Sequence, residues 1–279
     1  MEKAELSETF ETPAAGTDGP PRLAVRGLTK RYGGVHALEG VNLEVHVGEV
    51  LGLVGDNGAG KSTLLKILAG AVAPSEGTLL LDGHDVSFAT PRAAKDAGIA
   101  TVYQDLALAA QRDVVSNFFM GRELISAGLG GRLLGWLDKR AMRAHTVSEL
   151  ERLGTRIPDV SLAAAELSGG QRQALAIARA AAWSSKVLLL DEPTSALGVE
   201  QQAQVLELIR RVRDHGIAVI FISHQMQDVI AVCDRAVVLR LGRVARTLAR
   251  DELTADNLIG YITGAKLAEA EQIVAAGGR

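Results

Sequence analysis

The chain holds one cysteine, Cys233, in 279 residues. A single cysteine excludes an internal disulfide framework and suits a reducing compartment, where a lone thiol mostly behaves as a small buried apolar group. Aromatic residues are scarce as well, at 4% beside 47% hydrophobic residues. A sizeable core must then be built from Leu, Val, Ile and Ala. No run approaches the ~18 consecutive apolar residues needed to cross a bilayer. The opening Met1-Glu2-Lys3-Ala4-Glu5 lacks the basic stretch and apolar core of a secretory signal. The expectation is a protein kept in the cytoplasm, with any membrane part supplied by another chain. A net charge of −3 provides no global basic field, which argues against a nucleic-acid binder.

What the chain does have is a glycine loop in a telling setting. Val50-Leu51-Gly52-Leu53-Val54 reads as a buried strand. Gly55-Asp56-Asn57-Gly58-Ala59-Gly60-Lys61-Ser62 follows and fits G-x-x-x-x-G-K-[ST]. Ser62, Thr63 and the run to Ala69 then read as a helix. Strand, glycine loop and helix together make a phosphate cradle. Backbone N–H groups close around phosphate oxygens, and the helix N-terminus adds partial positive charge. Lys61 reaches the β- and γ-phosphates in this arrangement, and the Ser62 hydroxyl serves Mg²⁺.

Around the loop the chain alternates strand and helix patterns. Residues 1–21 are rich in Glu, Thr, Pro, Ala and Gly and read as a disordered tail. Val41, Leu43, Val45 and Val47 alternate with polar residues, the period of a half-buried antiparallel strand, and Thr78–Leu81 runs into an Asp82-Gly83 turn. A helical insertion is expected over about 91–180, broken by Gly128, Gly130, Gly131 and Gly135. Val187–Leu190 and Ala218–Ile222 are continuous apolar runs suited to a parallel sheet covered on both faces. The ordered unit spans 22–264, and 265–279 reads as a C-terminal tail.

In open α/β sheets, ligands bind beyond the carboxyl ends of the parallel strands. Polar residues follow the expected strands in turn: Gln104 after Ile99–Tyr103, Asp191-Glu192 after Leu190, Ser223-His224 after Ile222. Asp191 has the Walker-B setting and would hold Mg²⁺ with Ser62. Glu192 could orient or deprotonate an attacking water. Gln104, a neutral donor and acceptor, suits contact with Mg²⁺ or that water, and His224 suits the γ-phosphate. Singly, each has a plainer reading as solvated loop or structural polar residue; convergence on one rim favours a site. The other histidines (His36, His46, His84, His145, His215) show no metal-ligand spacing.

A second glycine turn, Leu167-Ser168-Gly169-Gly170-Gln171, precedes a strong helix former starting at Arg172. It is a second anion site by the same physics. One nucleotide triphosphate does not need two such sites far apart in one subunit, so this turn is expected to serve a nucleotide held by a partner.

With these motifs in this order, the chain resembles the ATP-binding cassette ATPases. The match rests on GDNGAGKS at 55–62, Gln104 in TVYQD, LSGGQ at 167–171, LLLDEPTSAL at 188–197 and FISH at 221–224. The resemblance implies a P-loop NTPase with a RecA-like core, an antiparallel β edge and an inserted helical subdomain. It implies ATP and Mg²⁺ as cofactors, with residues 55–63 and Tyr32 on the nucleotide of one subunit. Tyr32 by itself serves core packing equally well. The resemblance further implies a head-to-tail pair of cassettes, with Ser168, Gly169, Gly170 and Gln171 closing over the partner's ATP. Catalysis falls to Glu192, His224, Gln104 and Lys61, and the metal to Ser62, Gln104 and Asp191. Gly198 departs from the family, which usually has Asp there to couple the two sites.

Asn117–Glu123 and Gly135–Met142 are similar to stretches of bacterial sugar-importer cassettes, of the single-cassette, fructose-type kind. That implies uptake of a monosaccharide or small polyol, a separate transmembrane permease, an extracytoplasmic solute-binding protein, and a peripheral position on the cytoplasmic face of the membrane. Export of lipid or drug, a non-transport cassette, and a regulatory module without turnover are the other readings.

Overall fold

The computed structural model describes residues 19–127, 134–183 and 186–268. Most of the expected N-terminal tail, the glycines Gly128, Gly130 and Gly131, and residues 269–279 of the expected C-terminal tail lie outside the described residues.

Two sheets form from strands of different character. The first is antiparallel, in the order β2-β1-β4-β5, built from β1 (Leu23–Tyr32), β2 (Val35–Val45), β4 (Glu76–Leu81) and β5 (His84–Val86). Its strands alternate buried and exposed residues over much of their length, as a sheet with one wet face must. The alternation foreseen through Val47 stops at Val45; Val47 lies in the turn beyond and is half-exposed.

The second sheet runs β10-β9-β3-β8-β7-β6. Its members are β3 (Val50–Val54), β6 (Ile99–Val102), β7 (Val187–Asp191), β8 (Ala218–Ile222), β9 (Arg235–Arg240) and β10 (Arg243–Leu248). The pairs β9·β3, β3·β8, β8·β7 and β7·β6 are parallel, and β10 closes the edge antiparallel to β9. Every residue of β3 and β8 is buried, which accounts for their unbroken apolar sequences.

The pleat sorts these residues to two faces. Leu51, Leu53, Leu189, Ile220 and Ile222 pack toward α1 (Lys61–Leu68) and the antiparallel sheet. Val50, Val54, Leu188, Leu190, Val219 and Phe221 share the other core with α5 (Gly169–Trp183), α6 (Val199–Asp214) and α7 (Met226–Val232). The stretch 91–180 is not purely helical. After α2 (Pro91–Asp96) it gives β6 to the central sheet, and only then α3 (Val114–Phe119) and α4 (Lys139–Arg152). The last described helix is α8 (Ala255–Thr263), capped by Thr254, and residues 265–268 are also helical.

A buried ion pair ties the two sheets together. Arg235 Nε donates to Glu49 Oε1 at 2.7 Å, and both side chains are about 5% exposed. Arg235 also donates to the Glu44 carbonyl at 3.0 Å, and Glu49 accepts the His46 N–H at 2.7 Å. Each charge therefore has its neutralising partner and further hydrogen bonds, the condition under which buried charge is tolerated.

Candidate nucleotide site

Sheet register brings the polar strand ends to one rim. Ile222 pairs with both Leu53 and Asp191, and Val102 pairs with Leu190. Gly55, Ser223, Glu192 and Tyr103 therefore emerge from four adjacent parallel strands on the same side.

The glycine loop connects β3 to α1. Gly55 has φ 154°, and a Cβ there would lie 2.3 Å from the Leu239 carbonyl oxygen. Gly60, at the helix N-cap, has φ 107°, with Ala37 O only 2.7 Å from its missing Cβ. At both positions only glycine fits, for backbone angle and for space. The Lys61 amine turns back over the loop and donates to the Gly55 and Asp56 carbonyls at 2.7 and 2.9 Å. Burial holds its pKa below the ordinary value, against the fields of Glu192, Asp56 and Asp191, which act to raise it. Those fields place the lysine in one electrostatic neighbourhood with the two carboxylates. Ser62 is the second residue of the helix and is exposed.

Asp191 ends β7, half-buried. Burial and the adjacent Glu192 charge push its pKa up, with Lys61 opposing. Two carboxylates that act on each other and on Lys61 fit a hard divalent cation such as Mg²⁺, whose preferred ligands are oxygens. Glu192 adopts φ 49°, a left-handed conformation uncommon outside glycine. The turn is pinned on both sides: Glu192 N–H donates to Ile222 O at 2.9 Å, and Ser195 donates to Glu192 O through its N–H at 3.1 Å and its hydroxyl at 2.9 Å. The Glu192 carboxylate thereby meets His224 Nδ1 at 3.0 Å. Sequence reasoning placed both residues on the rim but missed their pairing and the pinning by Ser195. The one local signal was a serine three residues after the glutamate, the spacing of a hydroxyl-stabilised turn.

Gln104 is exposed two residues past β6, on the rim beside β7. Tyr32 is exposed at the end of β1, with the Lys30 ammonium 5.1 Å from its ring centroid. It is not packed in the core. His145 belongs instead to a ring cluster with Phe118, Phe119 and Trp183.

The second glycine turn is well formed but lies elsewhere. Ser168 N–H donates to Gln171 Oε1 at 2.8 Å and Gln171 N–H to Ser168 Oγ at 3.2 Å, a reciprocal cap on α5. Ser168, Gly170 and Gln171 line a cavity of about 660 Å³ with residues of α6 and of the 153–156 turn. No residue of the 55–62 loop lines it.

A parallel core sheet with a glycine loop between strand and helix, an acidic strand end beside it and an antiparallel edge sheet defines a P-loop NTPase. Residues 38–195 match the family described as ABC transporter, and the chain belongs to that family. Its domain is an ATP-binding ATPase. The chain is 44% identical to the fructose import ATP-binding protein FrcA of Rhizobium meliloti over 91% of its length and 98% of that protein's. It is also 44% identical to the ribose import ATP-binding protein RbsA of Burkholderia pseudomallei, over 88% of this chain but only 47% of that protein. The chain thus spans about half of one relative and nearly all of the other. Among solved structures it is similar to cbiO1 of Clostridium perfringens, part of the ABC transporter complex cbiONQ, with TM-score 0.71 and 27% identity over 91% of this chain and 98% of that one.

Proposed function

We propose that this chain is the ATP-hydrolysing subunit of an importer for a monosaccharide or related small polyol. The sugar-import names of relatives that match most of the chain support the substrate class. Residues 22–264 form the nucleotide-binding domain in this reading. Residues 55–63 bind the phosphates, Lys61 neutralises their charge, and Tyr32 stacks on adenine. Ser62, Gln104 and Asp191 would hold Mg²⁺, which supplies charge neutralisation at the transferring phosphate. Glu192 holds the attacking water and takes its proton, while His224 fixes the Glu192 carboxylate and faces the γ-phosphate.

The separation of the two glycine turns is the observation that carries the assembly. Ser168–Gln171 opens onto a cavity shared with α6, away from the chain's own loop, so two chains pair head-to-tail, each turn closing on the other's ATP. Among the described residues, no helix is long and apolar enough to cross a membrane. A separate permease provides the path, and an extracytoplasmic solute-binding protein delivers the sugar. The chain sits against the cytoplasmic face of that permease. A cavity of about 350 Å³ beside Gln104, lined among others by Tyr103, Lys95, Met120 and Arg179, supports docking there.

Lys61→Ala should weaken ATP binding at least tenfold in calorimetry, since a charge-assisted contact is lost. Unchanged affinity would contradict the loop's role. Co-purification from a membrane extract should yield a permease whose binding protein takes a sugar; recovery of an exporter-type membrane protein would overturn the import reading.

A further inference from the structure

The residues just after the Ala196-Leu197-Gly198 turn connect two parts of the molecule that the motifs treat separately. Gln202, in the first turn of α6, donates its side-chain amide to two acceptors. One is the Thr194 carbonyl at 3.4 Å; the other is Gln225 Oε1 at 3.1 Å. One NH₂ group has two hydrogens, so both contacts are met at once. Thr194 lies two residues past Glu192 and is 1% exposed. Gln225 follows His224, and its N–H donates to Ser223 Oγ at 3.0 Å. Gln202 thus braces the two loops whose tips carry the Glu192–His224 pair.

The neighbouring side chain faces the other way. A Cβ on Gly170 would lie 3.0 Å from Cβ and Cγ of Gln201. The backbone of the second glycine turn is therefore seated directly on Gln201. Adjacent residues of one helix turn thus touch the hydrolytic rim and the turn that closes on the partner's nucleotide. Gly198, at the N-cap of the same helix, gives α6 no side-chain cap.

We propose that Gln202 is a positioning residue that fixes the Glu192–His224 pair. The proposal rests on the ATPase reading of the rim given above. Gln202 does not touch nucleotide; it acts through Gln225 and Thr194. Loss of its two hydrogen bonds should leave ATP binding intact and let the pair wander from the geometry that hydrolysis needs.

The test is a double-mutant cycle on Gln202→Met and Gln225→Met, which keep side-chain length and remove the bridge from either side. Each single variant should lower kcat for ATP hydrolysis about three- to tenfold, the worth of one or two hydrogen bonds. The Kd for a non-hydrolysable ATP analogue should stay at the wild-type value, and the melting temperature should fall by no more than a few degrees. The double variant should be no slower than the slower single one, because both break the same bridge. A kcat equal to wild type in both singles, effects that multiply in the double, or a loss carried wholly by Kd would overturn the proposal. Absence of ATP turnover in the wild-type chain would instead overturn the functional reading on which it rests.

Discussion

Glu192→Gln separates the chemistry of the rim from its geometry. The amide oxygen of glutamine can still accept a hydrogen bond from an imidazole N–H, so the 3.0 Å contact with His224 can persist. The pinned backbone at φ 49° is untouched, because Ser195 holds the main chain and not the carboxylate. What disappears is basicity and one negative charge. Positioned general bases contribute about 10²–10⁴-fold, or about 2.7–5.4 kcal/mol at 1.36 kcal/mol per tenfold. Binding moves the opposite way. Glu192 is one of two carboxylates crowded at the rim, and its charge is among the causes that raise the Asp191 pKa. Neutralising it lessens the repulsion felt by a phosphate anion. The expected outcome is phosphate release slowed at least about a hundredfold, together with an ATP-dependent dimer stable enough to run as such in size-exclusion chromatography with light scattering. Turnover within about threefold of wild type, a difference of under 1 kcal/mol, would remove Glu192 from its assigned role.

Arg235→Met strands the Glu49 carboxylate in a site about 5% exposed, and should cost about 3–5 kcal/mol in urea denaturation; a loss below about 1 kcal/mol would show the pair to be better solvated than its burial indicates. Gly198→Asp should stabilise the protein by about 0.5–1 kcal/mol, since φ is −71°, nothing lies within 4 Å of the new Cβ, and Asp is a strong N-cap. Any destabilisation would contradict this. Asp191→Asn should abolish turnover yet raise the melting temperature at pH 7 without Mg²⁺. The folded pKa of Asp191 is raised above 3.8 by burial and Glu192, so folding holds its proton longer than the unfolded chain does. Its favourable contribution is therefore full below pH 3.8 and lost as pH rises through the folded value. The advantage of the Asp191→Asn variant over wild type should accordingly shrink on acidification, and an advantage that grows there would reverse the sign of the argument.

The chemistry-bearing motifs were legible because their causes are local. Gly55 and Gly60 stand in one contiguous pattern between a strand and a helix, and Ser168 caps the helix that begins beside it. The continuous apolar runs of β3, β7 and β8 likewise announce a sheet buried on both faces. What escaped was set by sheet order. Glu192 and His224 meet because β7 and β8 are neighbours, and Arg235 finds Glu49 because β9 lies beside β3; no periodicity encodes either adjacency. Over 91–180 the Ala-rich composition announced helices, while the apolar run at Ile99–Tyr103 announced the strand that became the four residues of β6. Val47 continued an alternation that ended with the strand, because a polar-apolar rhythm does not register where a turn begins.

The hold of Lys61 on the carbonyls of Gly55 and Asp56 has a consequence for the return stroke of the cycle. An arriving phosphate must take the ammonium away from two acceptors, so its gain is measured against bonds already made. Each such charged hydrogen bond is worth about 1.5–3 kcal/mol, so a single rival of this kind slows nothing by itself but lowers net affinity by at least about tenfold. The same rival works for the protein once hydrolysis has shortened the nucleotide. The loop's own carbonyls are placed to take the lysine back as a phosphate leaves, which lowers the cost of release.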